Sequence, residues 1–291
     1  MIGVSTLAPG LRRIRAANAS ALTGTGTNTY VLGQDSHVII DPGPDLDAHL
    51  DAILAAVAKV PVAAILITHA HLDHSALTPR LARATGAEVM AFGAANSGRS
   101  ARMQRLAMDG LTGGEGADPG FRPDRLLTDG EVLHLAGMKI EALHTPGHMG
   151  CHLSYALGDT LFSGDHVMGW STTLVSPPDG DMTDYMAALA RLTLGKWQRF
   201  FPGHGEPIAD PTARLAELIQ HRRAREAAIL AALTAGPATA AALAARIYLD
   251  TPPQLLPAAT RNVLAHLIDL AQRGLAQAED EALTTARFHR S

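Results

Sequence analysis

Along the first two-thirds of the chain, short apolar runs alternate with turn residues and with stretches of helical period. The runs Asn28–Gly33 and His37–Asp41 predict two consecutive strands, joined through Gly33, Gln34 and Asp35. Helical spacing of apolar residues predicts a helix over Leu46–Lys59. The uninterrupted run Ala63–Thr68 (AAILIT) instead predicts a strand buried on both faces. A helix over Leu77–Thr85 closes at Gly86, and Glu88–Phe92 returns to strand. The segment carrying Arg99, Arg102 and Arg105 predicts a short helix, whereas residues 109–124 are too rich in Gly, Pro and Asp for regular structure. Strand-like pieces resume at Glu131–Leu135, Lys139–Leu143, Leu153–Leu157 and Thr160–Ser163.

From about Thr212 the pattern is almost purely helical, over Ala213–Leu233, Thr239–Tyr248 and Pro257–Gln272. Gly236-Pro237 and Thr251-Pro252-Pro253 punctuate these helices, and Gly274 ends the third. Leu275–Arg290 is then expected to form a small hairpin. The predicted organisation is a mixed α/β domain over residues 1–211, followed by a helical, winged-helix-like domain over residues 212–291.

With 47% hydrophobic and 18% charged residues among 291, the chain can bury a sizeable core and is not a disordered one. Its net charge of −4 and lack of a polybasic tract do not point to tight non-specific nucleic-acid binding. The C-terminal module, with nine arginines against seven acids, is only slightly positive; it is expected to contact nucleic acid or to serve as a lid or homodimer-supporting element. The one cysteine, Cys151, excludes an intramolecular disulfide. Residues Met1–Ala17 carry Arg12, Arg13 and Arg15 but no apolar stretch after them. No window approaches the ~18 apolar residues of a membrane span, so a soluble, cytoplasmic chain with no membrane partner is expected.

Fourteen histidines are unevenly placed. The densest cluster, Thr68-His69-Ala70-His71-Leu72-Asp73-His74, follows the AAILIT run directly, where the edge of a sheet collects ligand sites. Three further elements each end a strand-like run: His148 in HTPGH, Asp165 in LFSGD and His204 in FPGHG. A glycine precedes each of these three residues. One such element alone is ordinary; all four in order are not. Five His and two Asp suit two borderline divalent ions, zinc first, with manganese or iron also accommodated by such ligands.

THAHLDH, TPGH, FSGD and FPGHG in this order resemble the metallo-β-lactamase superfamily. The resemblance implies an αββα sandwich with the metal site along one edge of its two sheets. It implies that His69, His71 and His148 bind the first metal, that Asp73, His74 and His204 bind the second, and that Asp165 bridges both. GTNTYVLG (26–33), VIIDPG (38–43), Thr172-Thr173, Asp184-Tyr185-Met186, HRRAREAAIL (221–230) and the winged-helix-like tail are similar to the beta-lactamase-like protein 2 subgroup. That subgroup's animal mitochondrial members are single-strand-specific endoribonucleases. Relatives are disfavoured by departures: Asp165 stands where common zinc β-lactamases carry Cys, and only 38 residues lie between Asp165 and His204, too few for the β-CASP insertion. A tail without lysine fits glyoxalase II poorly.

The expected chemistry is hydrolysis by a metal-bridging hydroxide, because two cations lower the pKa of a shared water from 15.7 towards ~7. Asp73 is expected both to bind metal and to orient or accept the proton of that nucleophile. Two substrates compete: single-stranded RNA, from the whole-chain resemblance, and a small ester, thioester or lactone, from the metal motifs alone. A non-catalytic nucleic-acid-binding scaffold is a third reading, which the complete set of seven ligands argues against. His152 and Tyr185 are candidate substrate contacts, each weighed against a structural role; for Tyr185 that role is the packed face of an amphipathic helix. His144, Cys151 and His166 are expected to be structural.

Overall fold

The computed structural model describes residues 3–58, 60–113 and 116–291. Its first sheet has seven strands in sequential order: β1 (Gly3–Ala8), β2 (Leu11–Arg15), β3 (Asn28–Leu32), β4 (His37–Ile40), β5 (Val62–Leu66), β6 (Glu88–Ala91) and β7 (Arg125–Leu126). The four N-terminal strands pair antiparallel and the β4–β5, β5–β6 and β6–β7 pairs are parallel. The β4–β5 and β5–β6 crossovers are made by α1 (Asp47–Val57) and α3 (Thr78–Thr85), the latter closed by Gly86 at φ +70°. Lys59 and residues 114–115, which fall in the expected first helix and the expected irregular segment, lie outside the described residues. The N-terminal hairpin of β1 and β2 was not expected from sequence; its Arg12, Arg13 and Arg15 interrupt the apolar alternation that marks a strand.

A second sheet, ordered β12-β11-β10-β9-β8, contains β8 (Glu131–Leu135), β9 (Met138–His144), β10 (Leu153–Leu157), β11 (Thr160–Gly164) and β12 (Arg199–Pro202). Side chains alternate between faces of a strand, and that alternation builds the layers. Tyr30, Leu32, Ile40 and Leu66 of the first sheet meet Ile140, Leu153, Tyr155 and Phe162 of the second in a central core. Val31, Ile39 and Ile65 point the other way, onto Ile53 of α1 and Leu81 of α3. The outer face of the second sheet, through Leu143, Leu161 and Phe200, packs on Tyr185 and Leu189 of α5 (Met182–Leu192) and on Leu215 and Leu218 of α6 (Pro211–Leu233). The architecture is the expected αββα sandwich.

Beyond it, α7 (Ala240–Ile247), α8 (Leu256–Gln272) and a three-stranded sheet ordered β13-β15-β14 form the winged helix. Its strands are β13 (Ala238–Thr239), β14 (Ala276–Ala278) and β15 (Arg287–Arg290). A separate core of Ile229, Leu243, Val263, Leu267 and Phe288 holds it together, joined by Met103 of α4 (Ala101–Met108). Thus α6 belongs to both cores, its first half under the sandwich and its last turns in the winged helix. Among the described residues no helix is long and apolar enough to cross a membrane.

Candidate metal centre

All seven expected ligands lie just beyond the C-terminal ends of strands, on one edge of the sandwich. After β5 the chain turns through Thr68 and His69, with His71 in extended conformation before the short helix α2 (Leu72–Ser75), which carries Asp73 and His74. His148 follows β9, Asp165 follows β11 and His204 follows β12. The parallel register of β11 and β12 sets Gly164 opposite Pro202, and the Gly203 amide donates to the Gly164 carbonyl at 2.9 Å. Asp165 and His204 are thereby brought side by side. The preceding glycines are sterically required: a Cβ on Gly203 would lie 2.4 Å from Asp165 Oδ1, and one on Gly147 would lie 2.4 Å from Tyr185 Cα.

The donor atoms fall into two touching groups. His71 Nδ1 is 3.0 Å from both His69 Nε2 and His148 Nε2. In the second group, His204 Nε2 is 3.3 Å from His74 Nε2 and 3.2 Å from Asp73 Oδ2. Asp165 stands between them, with Oδ1 3.4 Å from His74 Nε2 and Oδ2 3.3 Å from His204 Nε2 and 3.8 Å from His148 Nε2. Buried polar groups normally find partners, yet among the described residues none hydrogen-bonds to Asp165 Oδ1. Imidazole nitrogens packed this closely, around a buried carboxylate, form a donor set that divalent cations would satisfy.

The far side of four of the imidazoles is tied to the protein, which fixes ring orientation. His74 Nδ1 meets Asp41 Oδ2 at 2.9 Å, His148 Nδ1 meets the Leu174 carbonyl at 2.7 Å, His69 Nδ1 meets Thr68 Oγ1 at 3.0 Å and His204 Nδ1 meets the Gly26 carbonyl at 3.3 Å. Asp41 also accepts from the Thr68 amide and hydroxyl, both at 2.7 Å. Sequence reasoning gave Asp41 no role, although an acid ending the wholly apolar strand of VIIDPG was the signal. It likewise gave none to Asn28, whose Nδ2 donates to the Pro202 and Gly205 carbonyls and pins the His204 loop. Arg13 does the same from the unexpected hairpin, donating to the Gly205 carbonyl and to Glu206.

Electrostatics divide the two groups. Burial pushes His69 and His71 down, His71 to about 3, with neighbouring histidines adding to the effect, and burial also lowers His148. These three are neutral, as metal ligands must be. Burial alone would lower His74 and His204 too, but Asp73 and Asp165 (with Asp41 for His74) hold His74 well above its ordinary value and raise His204 to about 9. Three carboxylates around two histidines make this half a cation site by charge as well as by donor type.

The two weaker candidates, His152 and Tyr185, lie apart from the donor atoms and are buried. Tyr185 is fully buried, packed under the Gly147 turn, with its hydroxyl donating to the His166 carbonyl at 3.3 Å. His152 is equally buried and pairs with Thr145 Oγ1 at 2.9 Å. Tyr185 packs on the outer face of the second sheet, and His152, just before β10, has its ring 5.2 Å from that of His69. His144 stacks on Phe92 at 4.0 Å, His166 is fully buried, and burial raises the Cys151 thiol to about 11. All three are packing residues.

In front of the candidate metal centre lies a cavity of about 500 Å³. His71, Asp73, His148, Asp165 and His204 form its floor. Its walls include Leu22, Leu72, Trp170 and Leu174 from the sandwich, and Tyr248 and Leu255 from the winged helix. Among the described residues no lysine or arginine lines it.

The chain resembles known proteins in sequence and in fold. The family described as "Metallo-beta-lactamase superfamily" matches residues 22–204, and "Beta-lactamase associated winged helix domain" matches residues 239–285. The chain is 32% identical over 283 residues to the Beta-lactamase-like protein 2 homolog of Drosophila melanogaster, spanning 93% of this chain and 91% of the fly protein. It is 29% identical over 238 residues to an atrochrysone carboxyl ACP thioesterase of Aspergillus fumigatus, spanning 79% of this chain and 67% of that one. A metallo-beta-lactamase family protein of Thermus thermophilus shares its structure with a TM-score of 0.79 at 27% identity, over 98% of this chain and 100% of the other. A beta-lactamase domain protein of Burkholderia ambifaria shares the fold with a TM-score of 0.82 at 23% identity, over 99% and 93% of the two chains.

Proposed function

The chain belongs to the metallo-β-lactamase superfamily, a family of hydrolases, and from that membership we propose that it hydrolyses a small carboxylic ester or thioester with an apolar acyl group. The observation that carries this reading is the cavity: largely apolar walls, a floor of candidate metal ligands and no lysine or arginine among the described residues. Ionised RNA phosphates are bound chiefly through lysine and arginine, and a single-stranded RNA substrate would find none there. The thioesterase relative from Aspergillus fumigatus supports the same substrate class.

In this reading His69, His71 and His148 would hold one divalent ion and Asp73, His74 and His204 a second, with Asp165 available to either; zinc suits the nitrogen-rich set. When bound, such ions supply Lewis acidity and an acidified water. The protein's own contributions are distinct. Asp73, half-buried at the cavity floor, orients the attacking water and holds its proton, while Asp41 fixes the His74 ring. Leu22, Trp170, Tyr248 and Leu255 desolvate the acyl group and exclude bulk water from it. The same reading divides the chain into a catalytic part, residues 1–211, and a winged-helix part, residues 212–291, that closes the cavity. A lone buried thiol suits a reducing, cytoplasmic setting.

The test offers zinc-loaded protein a series of acyl thioesters and, in parallel, an end-labelled single-stranded RNA, with a His69→Ala, His71→Ala double variant as control. Thioester turnover lost in the variant is the expected result. RNA cleavage by the wild type alone, without thioester turnover, would replace this reading with the endoribonuclease one.

A further inference from the structure

Arg222, in the middle of α6, is 1% exposed, and among the described residues no carboxylate pairs with it. A buried, permanently charged side chain is costly unless hydrogen-bonded throughout. Among the described residues its Nε has no hydrogen-bond partner, and its guanidinium lies over the Tyr185 ring, 5.1 Å from the centroid. The hydrogen bonds it does make converge on one short segment. Arg222 Nη2 donates to the Thr173 carbonyl, and Nη1 donates to Asn262 Oδ1 at 3.2 Å. Asn262, on α8, in turn accepts from the Val175 amide at 3.0 Å.

Residues 173 and 175 are therefore gripped by two side chains of the C-terminal helices. The residue between them, Leu174, presents its carbonyl to His148 Nδ1 at 2.7 Å, and Thr173 Oγ1 is 3.2 Å from the same nitrogen. A hydrogen bond at Nδ1 leaves Nε2 free of its proton and aims it, and Nε2 is the atom that meets His71. The chain from α6 and α8 to His148 is continuous, and it joins two stretches of sequence, Thr172-Thr173 and residues 221–230, that no catalytic role accounts for.

We infer that Arg222 and Asn262 are positioning residues through which the C-terminal helices hold His148 in its ligating orientation, so that these helices complete one metal site as well as walling the cavity. An arginine suits this task because its planar fork reaches two acceptors in a fixed geometry. The inference rests on the reading of His148 as a ligand.

Metal-stripped wild type, Arg222→Met, Arg222→Lys and Asn262→Ala chains are titrated with zinc against a chromogenic chelator, and their cobalt forms are compared by visible absorption. Arg222→Met and Asn262→Ala are expected to weaken one of the two equivalents by about 10–100-fold and to shift the cobalt bands. Arg222→Lys, which keeps a donor, is expected to fall between them and wild type. The second equivalent should stay within about threefold throughout. Unchanged affinities and spectra in a folded Arg222→Met chain overturn the inference, as does equal weakening of both equivalents, which marks a general packing role. Should Arg222→Met fail to fold, Asn262→Ala and Arg222→Lys decide by the same criteria. Fewer than two equivalents in the wild type would instead defeat the proposed metal centre itself.

Discussion

Replacing Asp41 by Asn isolates the contribution of a carboxylate that touches no substrate. Asp41 is 2% exposed and lies at φ +52°, a conformation that Asn adopts as readily as Asp, so the backbone is not strained by the change. In the native protein Oδ1 accepts from the Thr68 amide, while Oδ2 accepts from the Thr68 hydroxyl and from His74 Nδ1. The amide of Asn keeps the first bond and can donate to Thr68 Oγ1, but it has no acceptor left for His74. A buried, charge-assisted bond lost in this way costs about 2–3 kcal/mol. Once neutral, as a ligand must be, His74 can escape only by moving its proton to Nε2, the atom facing Asp73, Asp165 and His204. Relief in the fold is thus obtained at the expense of the metal site. The metal-free variant should melt roughly 4–12 °C lower if that loss is expressed at 2–4 °C per kcal/mol for a chain of this size. One zinc equivalent should weaken by about 10–100-fold. Calorimetry with and without chelator measures both quantities. A melting temperature within about 1 °C of wild type together with unaltered zinc affinity would refute the assignment of Asp41 as the anchor of His74.

Stability of the metal-free protein should peak between about pH 6 and 7. His204, raised to about 9 by Asp165 and Asp73 against the effect of burial, contributes stability that is fully present below its unfolded value near 6.5 and is lost as pH rises through 9. His71, lowered to about 3 by burial and by His148, acts oppositely: it is neutral when folded and destabilises the fold as pH falls below 6.5. Urea denaturation from pH 4 to 10 checks the shape, and a monotonic rise or fall would contradict it. Zinc binding at pH 7 should release protons from His74 and His204, visible as a buffer-dependent binding enthalpy. Gly203→Ala places a Cβ 2.4 Å from Asp165 Oδ1 and 2.7 Å from His74 Cε1. It is expected to reduce bound metal to one equivalent or fewer while the chain stays folded; two tightly held equivalents would show that the loop can move aside.

The candidate metal centre was legible from sequence because each of its four motifs follows a strand, and strand ends are marked by an apolar run that stops at Gly, His or Asp. The same logic gave β3, β4, β5, β10 and β11 to within a residue or two. It failed for β1 and β2, because Arg12, Arg13 and Arg15 spoil the alternation there. The structure gives the reason for Arg13 and Arg15, which reach across to Glu206 beside the His204 loop. Tyr185 shows a second limit. A tyrosine one turn into an amphipathic helix reads equally as a substrate contact or as core, and only the tertiary position of the Gly147 turn decides for core. The Asp41–His74 and Arg222–Thr173 contacts were invisible for another reason: each joins residues far apart in the chain, and neither leaves a local periodic trace.

The most direct test of the account is the zinc stoichiometry of the metal-stripped chain, measured by titration calorimetry at pH 7.5 beside the His69→Ala, His71→Ala variant. Two equivalents per chain in the wild type, and loss of at least one in the variant, is the predicted result. A wild-type chain that binds one equivalent or none, or a variant that binds as the wild type does, would contradict it.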